Sequence, residues 1–107
     1  MMHMEKSSFI EVFGESPEIR VLDFFLTFSE FDYPIKQVAT EIEAGWTTVE
    51  NSIKVLVKKG ILKETREFGK AKLFALDKEN KIAKALLKID LELSFALAEK
   101  STISVIA

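Results

Sequence analysis

Thr47, Asn51, Lys54 and Lys58 recur at three- and four-residue spacing near the middle of the chain. At about 100° per residue they share one side of a helix, and Val49, Ile53 and Leu56 share the opposite side. Asn can pair two groups on an adenine edge, Thr can reach a base edge or a methyl group, and Lys neutralises phosphate. The stripe therefore has the chemistry of a nucleic-acid reader. A solvated helix face has the same polarity, so the stripe alone does not decide between the two.

The residues that must position this helix narrow the choice. Ile35, Val38, Ala39 and Ile42 form an apolar stripe over two turns just ahead of it. Ala39 is small enough for a second helix to cross closely, and Glu43-Ala44-Gly45 leaves room only for a tight corner. The spacing predicts a helix-turn-helix, its first helix over about 35–43 and its second ending at Lys58-Lys59-Gly60, where cations meet the negative pole and Gly stops the helix. Gly45 serves as a modest N-cap and leaves the first amides free for a phosphate or for water. Trp46 falls on the border of the two faces, either an anchor at the edge of the core or a side chain that touches a partner.

Beyond Gly60, Ile61 to Phe68 and Ala71 to Leu76 alternate loosely around Gly69-Lys70, which suits a two-residue hairpin turn with Gly first. Arg66, Lys70 and Lys72 near its tip suit a nucleic-acid backbone, although surface lysines also keep an exposed hairpin soluble. Upstream, Ser16-Pro17-Glu18 starts a helix expected to run to about Ser29. Its Val21, Leu22, Phe24, Phe25, Leu26 and Phe28 read as core rather than as an aromatic ligand pocket. Pro34 disfavours helical geometry at Tyr33, so the piece around it is expected to be extended and to add a third strand. Phe9, Ile10, Val12 and Phe13 suffice for a turn or two of helix lying on the body.

A long helix is expected from about Lys78 to Lys100, on the order of 30 Å. Ile82, Leu86, Ile89, Leu93 and Leu97 form one apolar stripe, and Leu87, Leu91 and Phe95 lie nearly opposite. One stripe can meet the chain's own core. The second is read as a homodimer interface, since three large side chains at roughly 1.5–3 kcal/mol each would reward burial by a second copy. The other possibility is that the N-terminal segment covers it. Ser101 to Ala107 is apolar enough to dock somewhere on the body.

A chain of 107 residues, 48% apolar and 30% charged, can build one core but not two, and is not a disordered tail. Without cysteine there is no disulfide or thiolate site, and His3, the single histidine, has no neighbouring ligand. No Gly-rich phosphate loop, paired carboxylates or nucleophile with a base is visible, so neither an enzyme nor a cofactor is expected. No apolar run reaches the ~20 residues of a membrane span and no signal-peptide core follows Met1, so the expectation is a cytoplasmic chain with no membrane partner. The net charge of -2 is uneven. Residues 1–45 carry 3 Lys+Arg against 9 Asp+Glu, residues 46–72 carry 7 against 3, and residues 73–107 carry 5 against 5. The basic charge sits on the candidate reading unit, as an anionic partner requires.

With these elements in order, the chain resembles the small archaeal winged-helix transcriptional regulators related to the MarR and ArsR families. The likeness rests on Val38-Ala39, Thr48-Val49, Ile53, Leu56, Lys59-Gly60-Ile61-Leu62 and the run Gly69 to Phe74, within about residues 8–98. It implies a second helix in the major groove, with Thr47, Thr48, Glu50, Asn51 and Lys54 as contacts, and a wing that places Arg66, Lys70 and Lys72 on the flanking backbone. This chain has Glu43 where such families usually have Gly at the corner, Gly45 where they cap with Ser or Thr, and Trp46 where Arg is common. It lacks the cysteines and ligand clusters of metal sensing.

The sequence thus predicts a mostly α fold with a small β-hairpin, a winged helix-turn-helix with a long C-terminal dimerisation helix. It is read as one domain over 1–107, with a DNA-binding core and wing over 7–76 and the dimerisation helix over 78–100. The expected function is a homodimeric regulator that binds double-stranded DNA through Trp46, Thr47, Thr48, Glu50, Asn51, Lys54, Lys58, Arg66, Lys70 and Lys72. The alternative is a winged-helix module that docks another protein through Trp46 and the apolar C-terminal face, without DNA binding.

Overall fold

The structure is a computed structural model that describes residues 7–106, with side chains described to residue 97. His3 lies outside the described residues. The order is α1 (Ser8–Phe13), α2 (Pro17–Thr27), β1 (Tyr33–Pro34), α3 (Ile35–Ile42), α4 (Trp46–Lys58), β2 (Leu62–Phe68), β3 (Ala71–Leu76) and α5 (Lys81–Ile106).

Local chemistry accounts for most boundaries. The Ser7 and Ser16 hydroxyls accept from the amides of Ile10 (3.1 Å) and Ile19 (3.2 Å), which starts α1 and α2. Helix α2 stops at Thr27, two residues before the expected Ser29. There Phe28 leaves helical geometry (φ -111°, ψ 55°), and its ring meets those of Phe24 and Tyr33. At the end of α4, Gly60 takes φ +80°, its N–H donates to the Val57 carbonyl (2.9 Å), and the N–H of Ile61 donates to that of Leu56 (3.0 Å). This double closure turns Ile61 and Leu62 into the core, where both are buried.

Helices α2, α3 and α4 pack around one interior to which Val21, Phe25, Val38, Val49 and Ile53 contribute, all nearly inaccessible. Phe24 and Phe25 stand edge-on to one another (5.3 Å between ring centroids), and Phe24 stands edge-on to Tyr33 (5.0 Å). The α2 aromatics are therefore core, as their spacing predicts. The sheet closes the remaining side in the order β1-β3-β2, all antiparallel, with Tyr33 opposite Phe74 and Leu62 opposite Leu76. The extended piece before α3 does add the third strand. Together these elements form a winged helix-turn-helix.

Helix α5 departs from expectation in both extent and facing. It begins at Lys81 rather than Lys78, because Asp77 to Asn80 is spent on a turn. The Asp77 carboxylate accepts from the Glu79 amide, and the Asn80 side chain caps the helix through the Ala83 amide (3.0 Å). Past Lys100 the backbone stays helical to Ile106. Helix α5 lies against α1 and α2 along an arc centred between the two expected stripes. Ala83 is fully buried, and Leu86, Leu87 and Leu93 pack partly buried against the core. Leu87, expected at a dimer interface, is thus turned toward its own chain, whereas Ile82 and Ile89, expected inward, are exposed along one flank. Leu91 (58% exposed) and Phe95 (73%) form the other flank.

The N-terminal segment joins this junction through α1, whose Phe9 is buried and stacks near Phe13 (4.7 Å). The Ser7 hydroxyl donates to Asp23 Oδ1 on α2 (2.8 Å), linking the α1 cap to the body. Burial pushes the carboxyls of Asp23 and Asp90 above the usual value of 3.8, and the negative charge of Asp90 raises Asp23 further. A carboxyl raised in the folded state contributes most stability below its unfolded value and loses that contribution as pH rises through the folded value. Asp90→Asn should therefore raise the unfolding midpoint at pH 7, and the gain should shrink as pH falls toward 3.8, where the parent carboxyl is protonated too. Thermal melts of both proteins across that range check this.

Candidate nucleic-acid interface

The corner between α3 and α4 is closed by hydrogen bonds rather than by glycine. The Ala44 N–H donates to the Ala39 carbonyl (3.0 Å) and that of Glu43 to Thr40 (3.2 Å). This geometry requires Glu43 in the left-handed region (φ 56°, ψ 49°), where a Cβ is disfavoured by about 1–2 kcal/mol. Among the described residues it is the one non-glycine with positive φ. Gly45, by contrast, sits at an ordinary extended φ of -72°, caps α4 without a side chain, and leaves open space where a Cβ would stand.

Helix α4 divides as its periodicity predicts. Val49, Ser52, Ile53 and Leu56 are buried, and burial of the three apolar side chains stabilises the helix's seat by roughly 1.5–3 kcal/mol each. Thr47, Thr48, Asn51, Lys54 and Lys58 are exposed on the other side, and Glu50 is half-buried at its edge. Glu50 pairs with Lys54 one turn on (3.8 Å), an exposed contact that a phosphate can displace at little cost. Trp46, on the first turn of α4, is 51% exposed, which places it at the surface beside Thr47 rather than in the core.

In the wing, Phe68 pairs with Ala71 across Gly69-Lys70, and Gly69 takes φ +64° as a turn with Gly first demands. Lys70 and Lys72 are exposed. Arg66 is not free. Its guanidinium donates to both carboxylate oxygens of Asp32, from Nε (3.0 Å) and from the terminal nitrogen (3.2 Å). The Thr65 hydroxyl bonds the same carboxylate, at a break in the ladder register between Glu64 and Arg66. Since Arg66 faces Leu73 and Leu73 faces Pro34, Arg66 reaches across the sheet to the segment before β1. Its hydrogen bonds and that of Thr65 hold the Asp32 carboxyl below its usual value, so the pair persists into mildly acidic solution. Arg66, expected on a nucleic-acid backbone, is paired with Asp32 while its side chain stays 63% exposed.

The residues that reasoning from the sequence missed are Asp32 and Thr65, whose partners lie 33 and 34 positions away, and Phe68, which is 74% exposed at the wing tip. Only Phe68 left a signal, an aromatic side chain beside the turn; the register break between Glu64 and Arg66 moves it off the face that Leu62 buries. Among the described residues, no group of three or more Asp, Glu or His could hold a metal ion, and no helix is long and apolar enough to cross a membrane.

No protein-family profile and no curated protein matches this sequence. Solved structures do. The homodimeric winged helix-turn-helix DNA-binding domain of Mb0332 from Mycobacterium bovis, a possible ArsR-family transcriptional regulator, is similar over 92% of this chain and 95% of that one (TM-score 0.59, 13% identity). A possible transcriptional regulator from Methanosarcina mazei is similar over 85% of this chain and 76% of the other (TM-score 0.57, 15% identity). A MarR-family transcriptional regulator from Silicibacter pomeroyi is similar over 81% of this chain (TM-score 0.61, 11% identity), which spans only 56% of that regulator. At such identities the likeness establishes the fold alone.

The strained corner yields a test of the site's geometry. Glu43→Gly should stabilise the protein by about 1 kcal/mol, raising the unfolding midpoint by several degrees without altering the circular-dichroism spectrum. An unchanged or lowered midpoint would show that the corner is relaxed in solution.

Proposed function

We propose that this protein is a cytoplasmic, homodimeric transcriptional regulator that binds double-stranded DNA. The observation that carries the reading is the exposed face of α4, where Thr47, Thr48, Asn51, Lys54 and Lys58 stand together opposite a fully buried stripe. Charge supports it: residues 46–72 carry 7 Lys+Arg against 3 Asp+Glu in a chain that is otherwise acidic or neutral. Helix α4 would lie in the major groove, with Asn51 and the threonines at base edges and Lys54 and Lys58 toward phosphates. Lys70 and Lys72 would follow the flanking backbone, and Trp46 would sit at the groove's rim. Residues 7–76 form the reading core and wing on this proposal, and α5 joins two copies.

Four phosphate contacts per protomer predict that log K falls against log salt with a slope of about -7, at ~0.9 per contact over eight contacts. Fluorescence anisotropy of labelled genomic duplexes, at low and physiological salt, measures it. The double substitution Lys54→Glu/Lys70→Glu should abolish binding with the fold intact. No binding at low salt, or binding indifferent to these lysines, would instead favour a protein-docking module, a reading to which the exposed Trp46 lends itself.

The dimer would form through Leu91 and Phe95, which among the described residues are the most exposed large hydrophobic side chains of α5. Two bound protomers would then set half-sites about one helical turn, ~34 Å, apart. Leu91→Glu/Phe95→Glu should convert the protein to a monomer in sedimentation velocity while leaving its far-UV circular-dichroism spectrum unchanged. A dimer that survives this change must use another surface.

A further inference from the structure

Phe68 ends β2 at the apex of the wing and, among the large hydrophobic side chains found exposed, shows the highest exposure. Register places it on the same sheet face as Arg66, Ala71 and Leu73. On that face Arg66 is drawn away to Asp32, Leu73 is buried, and Ala71 directly opposite is small. The ring therefore projects, 74% exposed, from a hairpin whose tip is turned by Gly69 and which is tied further down through Thr65 and Arg66. Lys70 is exposed in the turn beside it, and the adjacent Glu67 faces Lys72 on the other side of the sheet. An apolar side chain beside an exposed cation, at the tip of a hairpin that belongs to the basic stretch 46–72, suits stacked bases next to a phosphate chain better than it suits a second copy's apolar patch. Architectural proteins use that combination, cations on phosphate and an apolar wedge at a base step.

We infer that Phe68 is a wedge that enters the minor groove beside the site read by α4 and partly unstacks one base step. This rests on the proposed DNA binding and adds to it a determinant of specificity. Pyrimidine–purine steps open most easily, so the residue selects for a TA or CA/TG step at a fixed distance from each half-site without hydrogen-bonding any base. Lys70 in the turn meets the adjoining phosphate, and the Asp32 pair keeps the wing from yielding as the ring is pressed in.

The test is selection from a randomised duplex pool by the full chain, in parallel with Phe68→Ala and Phe68→Leu, followed by anisotropy on the selected duplex. Phe68→Ala should bind the wild-type duplex about tenfold more weakly with an unchanged salt slope, because no phosphate contact is lost. Its selected pool should lose the flanking pyrimidine–purine step, and Phe68→Leu should retain it. A 2-aminopurine placed at that step should brighten with the wild-type protein and stay quenched with Phe68→Ala. Equal affinities, or identical selected steps, for wild type and Phe68→Ala would overturn the inference while leaving DNA binding intact. Failure of the wild-type protein to enrich any duplex at low salt would overturn both.

Discussion

The seating of α4 on α2 is the contact on which the other elements depend. One side of α4 is committed to the interior through Val49, Ile53 and Leu56, and α2 meets the same interior with Val21, Phe24 and Phe25. A helix of 13 residues with three large side chains so committed cannot rotate about its axis without exposing them. Its outward face is therefore fixed as a consequence of burial. Thr47, Asn51, Lys54 and Lys58 stay together at the surface because their opposites cannot leave the core.

The wing depends on a different kind of constraint. A two-stranded ribbon extending from a small domain buries little, and all of β2 beyond Leu62 is exposed. What holds it is polar: a register break at Thr65, and a two-point pairing of Arg66 with Asp32 that spans the sheet above Leu73. An exposed ion pair contributes little stability in general, but a bidentate guanidinium–carboxylate contact fixes direction. Its consequence is orientation of the tip relative to α4, the relation that any duplex contacting both must satisfy.

Helix α5 is apolar over a wider arc than its own chain covers. Its inward arc is centred on Ala83, Leu86, Leu87 and Leu93, with the carboxylate of Asp90 placed among them against α2. That arc leaves apolar residues on both flanks, Ile82 and Ile89 on one and Leu91 and Phe95 on the other. The α1 segment covers part of the junction through Phe9, and Leu91 and Phe95 are exposed.

Local physics was written in the sequence. The 3.6-residue period separated the faces of α4, Ser16-Pro17 opened α2, Lys59-Gly60 closed α4, Pro34 forced the extended piece that became β1, and Gly69-Lys70 turned the hairpin. Each of these is decided within one turn of helix or one hairpin, where neighbours along the chain are also neighbours in space. What only the tertiary structure decided involves partners far apart in sequence. Arg66 looked like a free cation until Asp32 stood beside it, and Leu87 looked like the outward stripe until α1 and α2 set the azimuth of α5. Glu43 looked like a departure from a pattern until its carbonyl neighbours forced it left-handed. Periodicity gives the width of an apolar arc but not which of its two edges a neighbour will cover, and a charge pattern gives the sign of a side chain but not the company that the fold provides.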